Sequence, residues 1–386
     1  MRYYFGDKIN VGEERMFIMQ KSKVYFTNLR CPIGTSLLDK LDKLILKAGI
    51  SDIDFANRFT AIKIHFGEPG NLSFLRPNFA KTVADRIKAL GGKPFLTDCG
   101  TLYVGRRNNA LLHLDAAMEN GYSPLSTGCQ VIIGDGLKGT DDVEVPIVGG
   151  RYLKTAMIGR AVMDADIIVS LNHFKGHEVT GFGGAIKNLG MGSGSRAGKM
   201  LMHNDGKPQV IRKTCVGCKF CAKFCNQSAI GFPDGKAFID VDKCVGCGRC
   251  LGSCNFNAIE NVSDTGYDML CYKIVEYAKA VVDGRPHFHI SIVNQVSPYC
   301  DCHGENDAAI VPDIGMFASF DPVALDKACI DAVNAAPALS GTALDGTVSK
   351  NDHFTSIHPE TDWRSQIAHA EAIGLGSGDY ELITVK

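Results

Sequence analysis

Nowhere in the 386 residues does an apolar run approach the roughly 18 needed to cross a bilayer as a helix, which argues against a membrane partner. Charge of one sign is also missing in excess, since 41 lysines and arginines stand against 42 aspartates and glutamates. A near-neutral chain has no global field to draw in nucleic acid or an anionic surface, so a small-molecule substrate or a redox partner protein is the better expectation. The opening MRYYFGDKINVGEER is too charged for a secretion signal, so residues 1–20 read as an N-terminal extension and the chain as cytoplasmic. No flavin or nicotinamide fingerprint is present. Any such cofactor would need an unrecognised surface.

Cysteine, by contrast, is abundant. Fifteen in a large chain without a secretion signal point to metal ligands or reduced thiols rather than disulfides. Eight lie in an internal duplication, where TCVGCKFCAKFCNQSAIGF returns 29 residues later as KCVGCGRCLGSCNFNAIEN. Each copy has three cysteines spaced by two residues, which can wrap one face of a cubane, and a fourth after three more. Structural zinc usually takes two well-separated pairs instead. The segment resembles bacterial two-cluster ferredoxins over about 50 residues. That resemblance implies two 4Fe-4S clusters, one on Cys215, Cys218, Cys221 and Cys254, the other on Cys244, Cys247, Cys250 and Cys225. Asn226 and Asn255 stand where that family usually has proline.

Around this segment, short apolar runs alternate with helical patterns. VYFTNL, TAIKIHF, PFLTD, CQVIIGDG, ADIIVSLNHF and HFHISIV are strand-like. SLLDKLDKLILKAG, FAKTVADRIKALGG, the stretch near Ala110 to Glu119, MLCYKIVEYAKAVVDG and DPVALDKACIDAVNAA are helical, the last capped by Asp321 with Pro322 in its first turn. The alternation predicts an α/β fold, a mostly parallel sheet with helices on both faces, interrupted by an inserted ferredoxin-like two-cluster module. Residues 21–210 and 263–386 would form the α/β domain and 211–262 the insertion. Residues 176–198 hold eight glycines and read as a loop.

The strongest candidate site is LNHFKGHEVTGFGGAIKNLGMG, which follows a strand, where open α/β sheets place ligands. It gathers His173, Lys175, His177, Glu178 and Lys187, and general acid-base chemistry needs such groups together. Lys63, His65 and Glu68, with Thr101, Arg106 and Arg107, follow two other strands and could line the same sheet edge. SPYCDCHGEND places Cys300, Asp301, Cys302 and His303 together, either a further metal site or a turn with two reduced thiols.

KIHFGE (63–68), TDCGTLYVGRR (97–107), NHFKGHEVTGFGGAIKNLGMG (172–192) and SPYCDCHGENDAAIVPDIGMFASFDPVALDKA (297–328) resemble the family filed as domain of unknown function 362. Members of that family often carry such an inserted ferredoxin. HEVTGFGGAIK (177–187), with His203 and Asn204 downstream, is fainter in its likeness to nickel-pincer lactate racemases. The likeness implies that Lys187 tethers a cofactor, His203 is a metal ligand and His177 serves in acid-base catalysis. Arg106 and Arg107 stand near where the racemases have a second catalytic histidine followed by arginine.

The expectation is an iron-sulfur oxidoreductase passing electrons between two clusters and a small-molecule site. His173, His177 and Lys187 would be catalytic, Lys187 and His203 would bind a cofactor, and Lys63, His65 and Arg106 would bind substrate. The alternatives are an electron-relay protein that docks a larger partner and a non-redox isomerase.

Overall fold

Runs rich in β-branched and aromatic residues become strands and the amphipathic runs between them become helices, as their periods dictate. The computed structural model describes residues 21–386 apart from 103–104, 205–207, 226, 245–248, 262–266 and 347–351. Eight strands form the central sheet: β1 (Ser22–Asn28), β2 (Phe59–Lys63), β3 (Lys93–Asp98), β4 (Gln130–Ile133), β5 (Ile167–His173), β6 (His287–Val293), β7 (Gly315–Ser319) and β8 (Tyr380–Thr384). Their order is β8-β1-β7-β6-β5-β2-β3-β4. Only β7 runs against its neighbours, β1 and β6; every other pairing is parallel.

Side chains alternate across a strand, so the sheet feeds two cores. Ala61 and Ile168 point into one, while Ile62 and Val169, paired in register, point into the other. Helices α1 (Leu37–Lys47) and α2 (Pro77–Ala89) cover the second core. The first is covered by α3 (Ala185–Ser193), α4 (Arg196–Asn204), α5 (Tyr267–Val282), α6 (Pro322–Ala335) and α7 (Trp363–Ala372). Caps sit where the sequence puts them. Ser36 and Asp39 close a reciprocal capping box at α1, and the Asp321 carboxylate accepts the Val323 and Ala324 N–H groups at α6.

The glycine-rich stretch is not the loop expected of it. It contains a small hairpin (Lys175–His177 with Gly181–Gly183), all of α3 and the start of α4. Its glycines serve close helix packing. A Cβ on Gly190 would lie 2.1 Å from the Ile274 carbonyl oxygen of α5, and one on Gly198 2.3 Å from the Met157 carbonyl oxygen. Helix propensity is sacrificed there for contact.

Strands β1 to β5 precede the cysteine-rich segment and β6 to β8 follow it, so both flanks build one sheet. The described residues of 208–261 add no strand to it. Pro208–Val210 pairs antiparallel with Ile259–Asn261, which brings the segment's two ends together, and Ile230–Gly231 pairs with Phe238–Ile239. Its small core joins Ala237, Ile239, Leu251 and Ile259 to Cys221, Cys250 and Met200 of α4. Cys247, Asn226 and residues 1–20 lie outside the described residues.

Candidate functional site

Where strand order reverses in a parallel sheet, the loops leaving the carboxyl ends diverge and open a crevice. After β2 the chain moves outward through β3 and β4, then returns to lay β5 on the other side of β2. A cavity of about 260 Å³ opens there. Lys63 ends β2, Asp98 ends β3 and His173 ends β5, and all three line it. The hairpin brings Lys175 and His177, α3 brings Lys187 and Asn188, α4 brings Lys199 and His203, and Cys300 and Cys302 close the far side.

Its floor is a buried polar network. The Lys63 ammonium donates to Asp98 Oδ1 at 2.8 Å and to Asn188 Oδ1 at 2.7 Å, while the Asn188 amide returns a bond to the Lys63 carbonyl at 3.0 Å. Burial lowers the Lys63 pKa, and Asp98 works against that fall. Arg107 lies 2.6 Å from Glu68 Oε2 and 2.8 Å from His65 Nε2. Burial, then the Arg107 charge, holds His65 well below its ordinary value, and so neutral.

His173 and His177 differ in what they offer. His173 Nδ1 lies 2.8 Å from Asp301 Oδ2 and its Nε2 lies 2.8 Å from the Asn294 carbonyl oxygen. Both nitrogens face acceptors, so this ring anchors the 294–301 loop. His177 Nδ1 instead accepts the N–H groups of Val179 and Thr180, at 3.0 and 3.2 Å. The proton of the neutral ring therefore sits on Nε2, toward the cavity.

Lys187 Nζ stands 3.0 Å from Cys300 Sγ. Burial opposes its charge, but Cys300 and Cys302 more than reverse this and hold the ammonium above its ordinary range. Burial likewise opposes a thiolate at Cys300, yet the Cys302 thiol, Lys187 and His177 hold its pKa well below normal. Cys302 moves the other way, through its bond to Cys300 and then through burial. The donor atoms of His177, Cys300 and Cys302 lie within 4.8 Å of one another, as do those of Glu178, Cys302 and His303, so either trio could hold a metal ion.

His173, His177, Lys187, Lys63, His65 and His203 thus share one cavity. Arg106 does not, which corrects the sequence-based expectation. Its guanidinium pairs with Glu119 at the surface, and Arg107 turns inward in its place. Glu68 makes the selection, accepting the Arg106 backbone N–H and the Arg107 guanidinium together. Asp98 and Asn188 were missed; the available signal was the position of Asp98 at the end of a predicted strand.

Behind Asp98 lies His113, fully buried, 3.7 Å from Asp98 Oδ2, with neither ring nitrogen hydrogen-bonded among the described residues. Burial pushes its pKa down to about 3, with Arg107, Lys199 and Lys63 adding to the fall and Asp98 resisting it. A depressed folded value means that the unfolded chain takes up the proton first. The stability due to neutral His113 is therefore complete above pH ~6.5 and drains as pH falls toward 3, by about 1.4 kcal/mol per pH unit. His113→Phe should flatten the pH dependence of urea midpoints between pH 6 and 4 relative to wild type. Parallel curves would refute the assignment.

In the cysteine-rich segment, Cys215, Cys218 and Cys221 of the first copy line one small cavity with Cys254 of the second. Sulfurs there receive backbone N–H bonds: Ala237 to Cys215 at 3.4 Å, Ala229 to Cys225 at 3.3 Å and Ala258 to Cys254 at 3.3 Å. The last two are equivalent positions of the duplication. Such donors suit thiolate ligands, and the set fits a cubane. Leu102 and Met200 pack on this segment, while Leu102 and the Lys199 and His203 side chains of α4 line the large cavity.

A family model described as a domain of unknown function (DUF362) matches residues 60–331. A thylakoid-associated protein of Synechocystis sp. is 29% identical over 130 residues, 31% of this chain and 34% of that one. Among solved structures, the lactate racemase apoprotein of Thermoanaerobacterium thermosaccharolyticum aligns at 13% identity over 71% of this chain and 51% of its own, with a TM-score of 0.34. A Thermotoga maritima protein aligns at 12% over 76% and 57%, with a TM-score of 0.33. The chain therefore spans about a third of the curated relative and just over half of each solved structure. No helix among the described residues is long and apolar enough to cross a membrane.

Proposed function

The chain belongs to the DUF362 family, and we propose that it is an iron-sulfur oxidoreductase in which residues 211–262, a ferredoxin-type insertion, hold two 4Fe-4S clusters beside a small-molecule site in the α/β domain. The observation that carries this reading is the position of α4. One side of this helix packs on the cysteine-rich segment through Met200, and another lines the cavity through Lys199 and His203. Cys215, Cys218, Cys221 and Cys254 would hold one cluster, with Cys225, Cys244, Cys247 and Cys250 on the other. When bound, the clusters supply one-electron transfer.

The rest is the work of the chain. Lys187, Lys175 and Lys199 give the cavity a cationic lining for an anionic substrate or intermediate. His177, with its Nε2 proton turned inward, can donate to a group that gains electrons. His173, tied at both nitrogens, is a positioning residue for the Asp301 loop rather than a proton donor.

Anaerobically isolated protein should contain about eight irons and eight acid-labile sulfides per chain. Lys187→Ala should remove turnover and leave the visible absorption of the clusters intact. Stoichiometric zinc without labile sulfide would sink the proposal. Unchanged electron exchange with a partner protein in Lys187→Ala would favour the electron-relay alternative.

A further inference from the structure

Cys300 and Cys302 face the large cavity from a turn that the cluster-binding motif does not include. Their sulfurs and the His177 ring nitrogen lie within 4.8 Å of one another. The surroundings of the two thiols are unequal. Cys300 Sγ receives the Lys187 ammonium at 3.0 Å and the Cys302 backbone N–H at 3.4 Å. Both are donors, and one carries full charge, so this sulfur sits in a pocket built for an anion. The same facts weigh against a metal ion on the trio. An ammonium already stands beside Cys300, and His177 spends its acceptor nitrogen on two backbone N–H groups, which leaves a proton on the nitrogen that faces the sulfurs.

We propose that Cys300 and Cys302 form a redox-active dithiol that reduces a small organic disulfide, with Cys300 as the attacking sulfur and Cys302 as the resolving one. The substrate class follows from access. Cys300 is only 1% exposed and opens into a space of about 260 Å³, which admits a small molecule but not a protein loop.

The chemistry balances with the groups present. The Cys300 thiolate attacks one sulfur of RSSR, forming a Cys300–SR bond and releasing RS⁻. That thiolate takes the proton of the Cys302 thiol and leaves as RSH. Cys302, now a thiolate, attacks Cys300 Sγ, forms the Cys300–Cys302 disulfide and expels the second RS⁻. The substrate gains two electrons and the dithiol loses two. His177 Nε2–H lies where it can hydrogen-bond to the departing sulfur, and Lys187 balances the anion throughout. Returning the disulfide to a thiolate and a thiol takes two electrons and one proton. Two one-electron clusters match that count, and this clause alone rests on the reading proposed above.

The test uses the full chain, prepared anaerobically and equilibrated with mixtures of bis(2-hydroxyethyl) disulfide and 2-mercaptoethanol. Free thiols are then alkylated, and the peptide spanning 300–302 is weighed. It should pass between a doubly alkylated form and an unalkylated, internally bridged form two hydrogens lighter than the free dithiol. Cys302→Ser should trap about one equivalent of mixed disulfide on Cys300, whereas Cys300→Ser should trap none at Cys302. A peptide alkylated at both cysteines under every mixture would overturn the inference, and so would a stoichiometric divalent ion on these thiols that a chelator releases. Iron and sulfide are assayed in the same samples. Absent clusters with a titrating peptide would remove the cluster reading alone, and intact clusters with an inert peptide would remove this one alone.

Discussion

Cys218→Ala and Cys254→Ala should each cost about four of eight irons, and the spectrum that remains should be the same in both, because the proposed assignment puts both residues on one cluster. Cys225→Ala should leave the complementary spectrum. Cys254 is 36 residues from Cys218 and belongs to the other copy of the duplication, so a reading by sequence proximity would group it with Cys244 and Cys250. It lies instead beside Cys215, Cys218 and Cys221. If Cys254→Ala matched Cys244→Ala instead, the crossed assignment would be wrong.

Lys63→Met is expected to destabilise the fold by about 3–5 kcal/mol, the cost of stranding one partner of a buried ion pair. Asp98, 2% exposed, would lose its 2.8 Å partner, and Asn188 would lose the donor to its Oδ1. His113 cannot substitute, since burial keeps it neutral near pH 7. Adding Asp98→Asn to Lys63→Met should recover at least about 1 kcal/mol by removing the stranded charge. Urea midpoints of wild type and the two variants decide the matter. A Lys63→Met protein within about 0.5 kcal/mol of wild type would show that the pair carries no such weight.

The sheet was legible because its strands keep their period: TAIKIHF, PFLTD and ADIIVSLNHF became β2, β3 and β5, and Asp321 with Pro322 marked the start of α6. What the sequence hid were contacts between distant residues. Lys63 meets Asn188 across 125 positions, and only the sheet order, with β5 laid beside β2, makes them neighbours. The glycines of 176–198 were misleading for a related reason. Local propensity counts them against a helix, yet Gly190 is needed where α3 presses on the backbone of α5, a partner more than 75 positions away. Arg106 and Arg107 are indistinguishable by type. Glu68, itself placed by the turn after β2, determines which of them enters the cavity.

The arrangement of α4 links occupancy at one site to order at the other. Whatever settles against Lys199 and His203 acts on the same rigid helix whose Met200 is sealed by the cysteine-rich segment. If filling the cavity tightens that helix, it must protect the segment from loss of the metal proposed for it. By the reciprocity of linked equilibria, a fully loaded segment must then raise affinity in the cavity by the same factor. Damage by oxygen at the cysteines would accordingly weaken substrate capture before any residue of the cavity had changed.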